Sequence, residues 1–261
     1  MKVTLITGAS SGIGETFARR LAKEKHNLVL VARSENKLHE LCDELMLAHG
    51  ITAHYVALDL TEFDADKKLF EETEKHGFEI DWLINNAGFG SMNDFVKSDL
   101  ERELQMIDLN ISALVALTHR YLQPMRERKS GVIINVSSAA SFQPIPFMAT
   151  YAATKAFVTS FSEALSEENR PFGIKVLALC PGATETNFFA VAGMKDAIQV
   201  KGMQTSEAVV ETALKAVRRG RSLVVSGLAN YVGSVLGTIV PDALITRTIG
   251  KVLRSKLKEK K

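Results

Sequence analysis

Short apolar segments alternate along the chain with longer segments in which apolar residues recur every three or four positions. The short segments are rich in Val, Ile and Leu and lack strict alternation with polar residues, which is typical of parallel strands covered on both faces. The predicted strands are Val3–Thr7, Leu28–Ala32, Thr52–Leu58, Trp82–Asn85, Val132–Val136, Ile174–Leu179 and Leu223–Val225. Their alternation with helices predicts an α/β fold in one domain, a doubly wound parallel sheet with helices on both faces. Such sheets bind ligands beyond the carboxyl ends of their strands.

The longest helical segment carries one apolar stripe, which predicts a single helix with one apolar face. The members of the stripe are Leu100, Leu104, Ile107, Ile111, Leu114, Thr118, Tyr121 and Met125. The strand–helix alternation covers residues 1–226. We expect residues 227–261 to be a C-terminal extension of the same domain, apolar from Leu228 to Val240 and basic after Lys251.

The composition is that of a globular protein, with 46% hydrophobic and 24% charged residues among 261. The formal net charge of +2 gives no reason to expect a nucleic-acid partner. The six histidines lack metal-binding spacing, so we predict no metal site. The chain has two cysteines, Cys42 and Cys180, and an N-terminal apolar run too short for a signal peptide. We therefore expect a cytoplasmic protein.

A glycine-rich turn follows the first predicted strand. It comprises Thr7, Gly8, Ala9, Ser10, Ser11, Gly12, Ile13 and Gly14, and a helical pattern begins directly after it. Backbone N–H groups at a helix N-terminus bind phosphate, and glycine lets the backbone approach the ligand closely. The spacing G-x-x-x-G-x-G differs from the usual G-x-G-x-x-G, so an ordinary strand-to-helix turn remains an alternative.

Arg33 follows the second predicted strand, and no acidic residue precedes Glu35 there. An acidic residue at this point would bind the ribose 2′-hydroxyl of NAD, whereas an arginine accommodates the 2′-phosphate of NADP. The position therefore favours NADP over NAD. The alternative is a solvated surface arginine.

Tyr151 and Lys155 are four residues apart, which places both side chains on one face of a helix. A neighbouring ammonium favours the phenolate, so we expect Lys155 to lower the pKa of Tyr151 into the range of a general acid or base. The alternative is an ordinary pair on the helix surface. Ser138 ends the fifth strand, where its hydroxyl could donate to a carbonyl or cap a turn. Asn110, on the apolar helix stripe, is either a polar site residue or a satisfied core amide.

These residues together resemble the single-domain short-chain dehydrogenases/reductases, whose fold is Rossmann-like, over about residues 3–226. The matching motifs are TGASSGIG at 7–14, Asp59-Leu60, Asn85-Asn86-Ala87-Gly88, Asn110, Ser138, Tyr151-x-x-x-Lys155 and Pro181-Gly182. The resemblance implies a binding role for three sets of residues. The pyrophosphate and adjacent ribose would contact Gly8, Ser10, Ser11, Gly12, Ile13 and Gly14. The adenosine would contact Asp59, Leu60, Asn86, Ala87 and Gly88, and the nicotinamide side would contact Pro181, Gly182, Thr184 and Thr186.

The resemblance also implies catalytic roles, in which Tyr151 protonates a carbonyl oxygen and Lys155 lowers the pKa of Tyr151 while holding the nicotinamide ribose. Ser138 would orient the carbonyl, and Asn110 would hold a water of a proton relay. The implied activity is NADPH-dependent interconversion of a carbonyl and an alcohol. A non-catalytic NADP-binding redox sensor and an NAD-linked dehydrogenase of the same family are the alternatives.

Two apolar segments indicate an apolar substrate, such as a ketone, an aldehyde or a 3-oxoacyl compound. They contain Phe188, Phe189, Val191 and Met194 after the sixth strand, and Phe142, Ile145, Pro146 and Phe147 after the fifth. Ordinary packing between a lid and the core is the alternative.

The C-terminal extension has two interpretations. Residues 222–241 are uncharged, but interrupting glycines and Pro241 disfavour a transmembrane helix. The apolar and basic segments either contact a membrane surface weakly or cover the substrate site or a subunit interface. By analogy with the family we expect a homodimer or homotetramer, assembled through helices at about 99–128 and 149–170.

Overall fold

The predicted sheet is present in the computed structural model, which describes residues 1–188, 192 and 203–258. Its strands are β1 (Lys2–Thr7), β2 (Leu28–Ala32), β3 (Ala53–Ala57), β4 (Glu79–Asn85), β5 (Gly131–Val136), β6 (Ile174–Cys180) and β7 (Leu223–Val225). They form one parallel sheet of seven strands in the order β3-β2-β1-β4-β5-β6-β7. The order reverses between β1 and β4, which is where doubly wound sheets bind ligands. The predicted doubly wound α/β fold is confirmed.

Helices cover both faces of the sheet. They are α1 (Gly12–Lys23), α2 (Glu35–His49), α3 (Ala65–Lys75), α4 (Leu100–Ile107), α5 (Leu114–Glu127), α6 (Ala149–Asn169), α7 (Ser206–Arg218), α8 (Leu228–Ile239) and α9 (Asp242–Lys258). Successive strand residues point to opposite faces. Ile6 of β1 therefore joins the core against α1, α2 and α7, while Leu5 joins the core against α3 and α5.

The predicted long helix is divided by a π-helical segment, Asp108–Ala113, between α4 and α5. A π turn contains an extra residue, so side chains before it rotate by one position relative to those after it. Glu103 and Met106 are consequently the buried residues of α4, whereas Leu100 and Leu104 are 66% and 51% exposed. The prediction of one uninterrupted apolar face was therefore wrong for the first part of the helix.

The C-terminal helices lie beside the loop that follows β5. The chain at Gly237 of α8 closely approaches Phe142 and Gln143, and Gly250 of α9 lies against Pro146. No helix among the described residues is long and apolar enough to cross a membrane.

Candidate active site

The glycine turn connects β1 to α1 in a conformation that requires its glycines. Gly8 and Gly12 have positive φ angles of 65° and 59°, a backbone region that favours glycine. A Cβ on Gly14 would lie 2.3 Å from the carbonyl oxygen of Gly8, so only glycine lets α1 approach the strand end this closely. Ser11 precedes α1 without capping it through its side chain. Ser10, Ser11 and Ile13 are partly or fully accessible around this turn.

Asn86 lies behind the glycine turn and supports it. Its side-chain amide donates to the carbonyl oxygens of Thr7 at 2.9 Å and Gly8 at 3.2 Å. The Thr7 hydroxyl in turn accepts from the backbone N–H groups of Asn86 and Ala87. The amide donors of Asn86 are thus used within the protein, which makes it a supporting residue for the turn. The sequence resemblance had implied a direct contact with the cofactor.

Arg33 and Asp59 meet beyond the carboxyl ends of β2 and β3. Arg33 Nη1 lies 3.6 Å from Asp59 Oδ2, and the Arg33 side chain is 79% exposed. Partial burial opposes ionisation of Asp59, but hydrogen bonds from Thr61 and the charge of Arg33 outweigh it and lower the pKa of Asp59. Leu60 is buried in the core below this point. Because the Arg33 side chain is exposed, its guanidinium is accessible to an anionic group at this edge.

Tyr151, Ser138 and Lys155 come together at the carboxyl edge of β5. Ser138 follows β5 and hydrogen-bonds to the Tyr151 side chain. Tyr151 and Lys155, one turn apart on α6, are 7% and 6% exposed. Lys155 Nζ donates to the carbonyl oxygen of Val136 at 2.9 Å and lies 5.9 Å from the centre of the Tyr151 ring. The predicted triad of hydroxyl, phenol and amine is brought into one cluster.

The electrostatics of this cluster differ from the sequence-based expectation. Burial raises the pKa of Tyr151 to about 12, although the hydrogen bond with Ser138 acts in the opposite direction. Burial also lowers the pKa of Lys155 to about 8. The expectation that the pKa of Tyr151 falls into the range of a general acid or base is therefore wrong in this structure, because desolvation disfavours the charged form of the phenol.

Asn110 is held in the π-helical segment and is 1% exposed. Its side-chain amide donates to Phe89 O and to the Thr154 hydroxyl, each at 3.0 Å, and its oxygen accepts from Phe89 N at 3.1 Å. A Cβ on Gly88 would lie 2.8 Å from Asn110 Oδ1 and 3.4 Å from Lys155 Nζ. Asn110 therefore connects the loop after β4 to α6, and the relay water expected from the resemblance stays a prediction.

The segment after β6 approaches the glycine turn. A Cβ on Gly12 would lie 3.0 Å from the methyl group of Thr186. Thr184 is buried and its hydroxyl donates to Gly182 O at 3.0 Å. The residues after Pro181 therefore face the same end of the sheet as the turn.

Asn230 of α8 is an additional residue of this region that the motifs did not reveal. A Cβ on Gly182 would lie 2.1 Å from Asn230 Nδ2, and this nitrogen donates to Ser226 O at 2.7 Å. The approach depends on how α8 packs against the loop after β6. No local sequence signal could have indicated it.

An apolar cluster lies next to Tyr151. The Phe188 and Tyr151 ring centres are 5.3 Å apart, and a Cβ on Gly90 would lie 2.8 Å from Phe188 and 3.0 Å from Tyr151. The cluster consists of Met92, Phe147, Met148, Phe188, Ala192 and Leu253. The structure thus joins Phe188 to Phe147, one residue from each of the two predicted apolar segments. Phe189, Val191 and Met194 lie outside the described residues.

Three potential metal ligands lie together near the start of β3, and the sequence spacing did not predict them. Ligand atoms of His54, Glu72 and His76 lie within 4.8 Å of one another. Glu72 Oε1 is 2.9 Å from His76 Nε2 and 4.0 Å from His54 Nε2. The group is formed by a strand and a helix, so it depends on a tertiary contact. The absence of a metal site stays a prediction.

The chain matches a sequence model of the short chain dehydrogenase family over residues 2–197. The very-long-chain 3-oxoacyl-CoA reductase of Rattus norvegicus is 32% identical over 216 residues, covering 77% of this chain and 69% of the rat protein.

Two solved structures also resemble the protein. A short-chain dehydrogenase from Sphingobium yanoikuyae in complex with NADPH has a TM-score of 0.83 and 33% identity, covering 92% of this chain and 94% of that one. The bulky-bulky ketone specific alcohol dehydrogenase from Comamonas testosteroni has a TM-score of 0.77 and 31% identity, covering 86% of each chain. The cluster of Ser138, Tyr151 and Lys155 beside the glycine turn agrees with these matches, and the chain belongs to the short chain dehydrogenase family.

Proposed function

We propose that the protein is an NADP(H)-dependent oxidoreductase that interconverts an apolar carbonyl compound and its alcohol. Members of this family are NAD(P)-dependent oxidoreductases acting on small molecules. The observation that carries the proposal is the buried cluster of the Tyr151 phenol, the Ser138 hydroxyl and the Lys155 amine beside the glycine turn.

The residues at the sheet edge fit NADP(H). Gly8, Gly12 and Gly14 let the turn pack closely against the loop after β4 and against Thr186, which places the N-terminus of α1 where it would bind a pyrophosphate. The Arg33 guanidinium is exposed and suited to a 2′-phosphate, and the Sphingobium relative binds NADPH. Thr186, next to Gly12, would contact the nicotinamide side. When bound, NADP(H) supplies or accepts the hydride.

Tyr151 donates a proton to the carbonyl oxygen of the substrate in the reduction. The Ser138 hydroxyl, which lies within hydrogen-bonding distance of Tyr151, would turn its single proton towards the same carbonyl oxygen and orient it. Lys155, in its ammonium form, stabilises the phenolate left after proton transfer. Because burial keeps the phenol protonated, Tyr151 begins the reduction in the form that a general acid requires.

The substrate proposed for this site is an apolar ketone, aldehyde or 3-oxoacyl compound. Support comes from Met92, Phe147 and Phe188, apolar side chains that pack together beside Tyr151. The relatives include a 3-oxoacyl-CoA reductase and an alcohol dehydrogenase specific for bulky ketones. A pocket of this kind favours burial of hydrocarbon over recognition of a sugar or a small acid.

The experiment that tests the proposal measures NADPH oxidation with apolar ketones, aldehydes and 3-oxoacyl thioesters, in parallel with NADH. Tyr151→Phe is expected to abolish turnover and to spare NADPH binding. Tyr231→Phe is the matched control, since its side chain is 53% exposed on α8. Wild-type rates in Tyr151→Phe would refute the mechanism. Tight NADPH binding without turnover on any compound would favour a redox sensor.

We also propose a homodimer or homotetramer assembled through the faces of α4, α5 and α6. Leu100, Leu104 and Phe157 on these helices are 66%, 51% and 40% exposed, more apolar surface than a free helix face usually presents. Sedimentation velocity of the wild type and of Leu104→Glu tests this assembly, and a monomeric wild type would refute it. A cytoplasmic location and a division into residues 1–226 and 227–261 remain predictions.

A further inference from the structure

Helix α8 exposes its apolar face and buries its small and polar residues. The buried positions are Ser234 and Gly237, with Asn230 half-buried beside them. The exposed stripe consists of Leu228, Tyr231, Val232, Val235, Leu236 and Ile239, with exposed fractions between 38% and 79%. Its spacing places all six on one side of the helix. A helix at a surface that meets only water usually buries its apolar residues and exposes its polar ones. The exposed apolar stripe of α8 therefore indicates a partner.

Helix α9, which follows α8 in the chain, exposes positive charge. Arg247, Lys251 and Arg254 are exposed, and their spacing of four and three residues puts them along one side of α9. Leu244 and Val252, 60% and 53% exposed, lie beside them on the same helix. The chain has no charged residue from 222 to 241, whereas residues 251–261 carry six Lys or Arg and one Glu.

We infer that α8 and α9 form a docking surface for an anionic lipid membrane. An interfacial site needs apolar side chains that enter the acyl region and basic side chains that reach the headgroups, and these two helices supply both. Tyr231 adds an aromatic ring with a polar end, which suits the boundary between lipid and water. A second copy seated on the same surface would bring the same excess of positive charge, whereas anionic headgroups neutralise it.

The docking surface adjoins the loop that follows β5, and it includes none of the proposed catalytic residues. α8 approaches Phe142 closely at Gly237, and α9 approaches Pro146 at Gly250. Arg254 lies 6.0 Å from the Phe147 ring centre. Docking would therefore place this loop near the lipid. The inference itself does not rest on the proposed reaction.

The test is co-sedimentation of the full chain with phosphatidylcholine vesicles, with and without phosphatidylglycerol. We expect binding to the vesicles that contain phosphatidylglycerol and much weaker binding to phosphatidylcholine alone. The double variant Leu228→Glu/Ile239→Glu should lose at least about tenfold in affinity for the vesicles, because two apolar side chains no longer enter the lipid. Arg247→Gln/Lys251→Gln should weaken the preference for phosphatidylglycerol, since it removes two of the basic residues.

The matched control is Leu47→Glu/Phe63→Glu, which adds the same two charges at apolar side chains that are 92% and 88% exposed elsewhere. It should bind the vesicles nearly as well as the wild type. Thermal unfolding checks that each variant is folded, and Leu228→Glu alone serves if the double variant is not. Equal binding by Leu228→Glu/Ile239→Glu and the control would overturn the inference. So would a wild type that ignores both vesicles, or a dimer that this variant converts to a monomer.

Discussion

Replacing Gly90 with alanine tests whether the position of Tyr151 is set by the loop after β4. The added Cβ would lie 2.8 Å from Phe188 and 3.0 Å from the Tyr151 ring, and one of these rings must move. The φ angle of Gly90 is not in the positive region that strains other residues, so the effect is steric.

The magnitude follows from the cost of overpacking, about 1–3 kcal/mol for an extra group in a packed site. If that cost is met by displacing Tyr151 from its catalytic position, kcat falls by about five- to 150-fold, at about 1.4 kcal/mol for each factor of ten. The dissociation constant of NADPH should change much less than kcat, since the added methyl group meets Phe188 and Tyr151 and no residue of the glycine turn.

The assay is steady-state reduction of the best ketone, together with fluorescence titration of NADPH. Gly233→Ala is the matched control, because its Cβ would meet nothing within 4 Å. Adding Phe188→Ala to Gly90→Ala should recover part of the lost kcat by giving the methyl group room. An unchanged kcat in Gly90→Ala would refute the claim that this contact positions Tyr151.

Three further predictions concern the cofactor, the buried lysine and the buried amide. Arg33→Ala should raise the dissociation constant of NADPH about tenfold and leave that of NADH nearly unchanged. Isothermal titration measures both constants, and equal changes in the two would contradict a contact between Arg33 and the 2′-phosphate. Burial lowers the pKa of Lys155 from 10.5 to about 8, so between these pH values the side chain is protonated in the unfolded chain and neutral in the folded one. Its contribution to the free energy of unfolding should therefore rise with pH in this range, by at most about 3 kcal/mol. Because the raised pKa values of Cys42 and Cys180 lower the stability as pH rises through 9 in both proteins, the contribution of Lys155 is the difference between them. Chemical unfolding at pH 7.5 and 9.5 should show a more favourable change in the wild type than in Lys155→Met; the same change in both would exclude Lys155 as a source. Asn110→Ala leaves Phe89 N and O without partners and should lower the free energy of unfolding by about 1–3 kcal/mol, while Asn93→Ala, at an exposed position, should change it little.

The sheet and the ends of its strands could be predicted because each depends on a local pattern. The apolar segments marked every strand to within a few residues, and parallel strands place their carboxyl ends at one edge. The positions of Gly8 and Ser138 at that edge follow directly, whereas Tyr151 reaches it from α6. Their chemical types then pointed to the same site that the structure contains.

The remaining features depend on contacts that no local pattern encodes. A π turn at Asn110 rotated the helix stripe, because the side chain of Asn110 bonds to a loop distant in sequence. The pKa of Tyr151 moved opposite to the expectation because burial, the largest of the effects on it, disfavours the phenolate. Asn86 supports the glycine turn from another strand end, and Asn230 reaches Gly182 from the C-terminal extension.

Transfer of deuterium from NADPH that carries deuterium at both C4 positions to the product carbon tests the central claim most directly. With an apolar ketone, mass spectrometry should find one deuterium on the carbinol carbon of the product made by the wild type, and no product with Tyr151→Phe. NADPH binding should be equal in the two proteins. A labelled product formed at the wild-type rate by Tyr151→Phe, or an unlabelled alcohol from the wild type, would contradict the account.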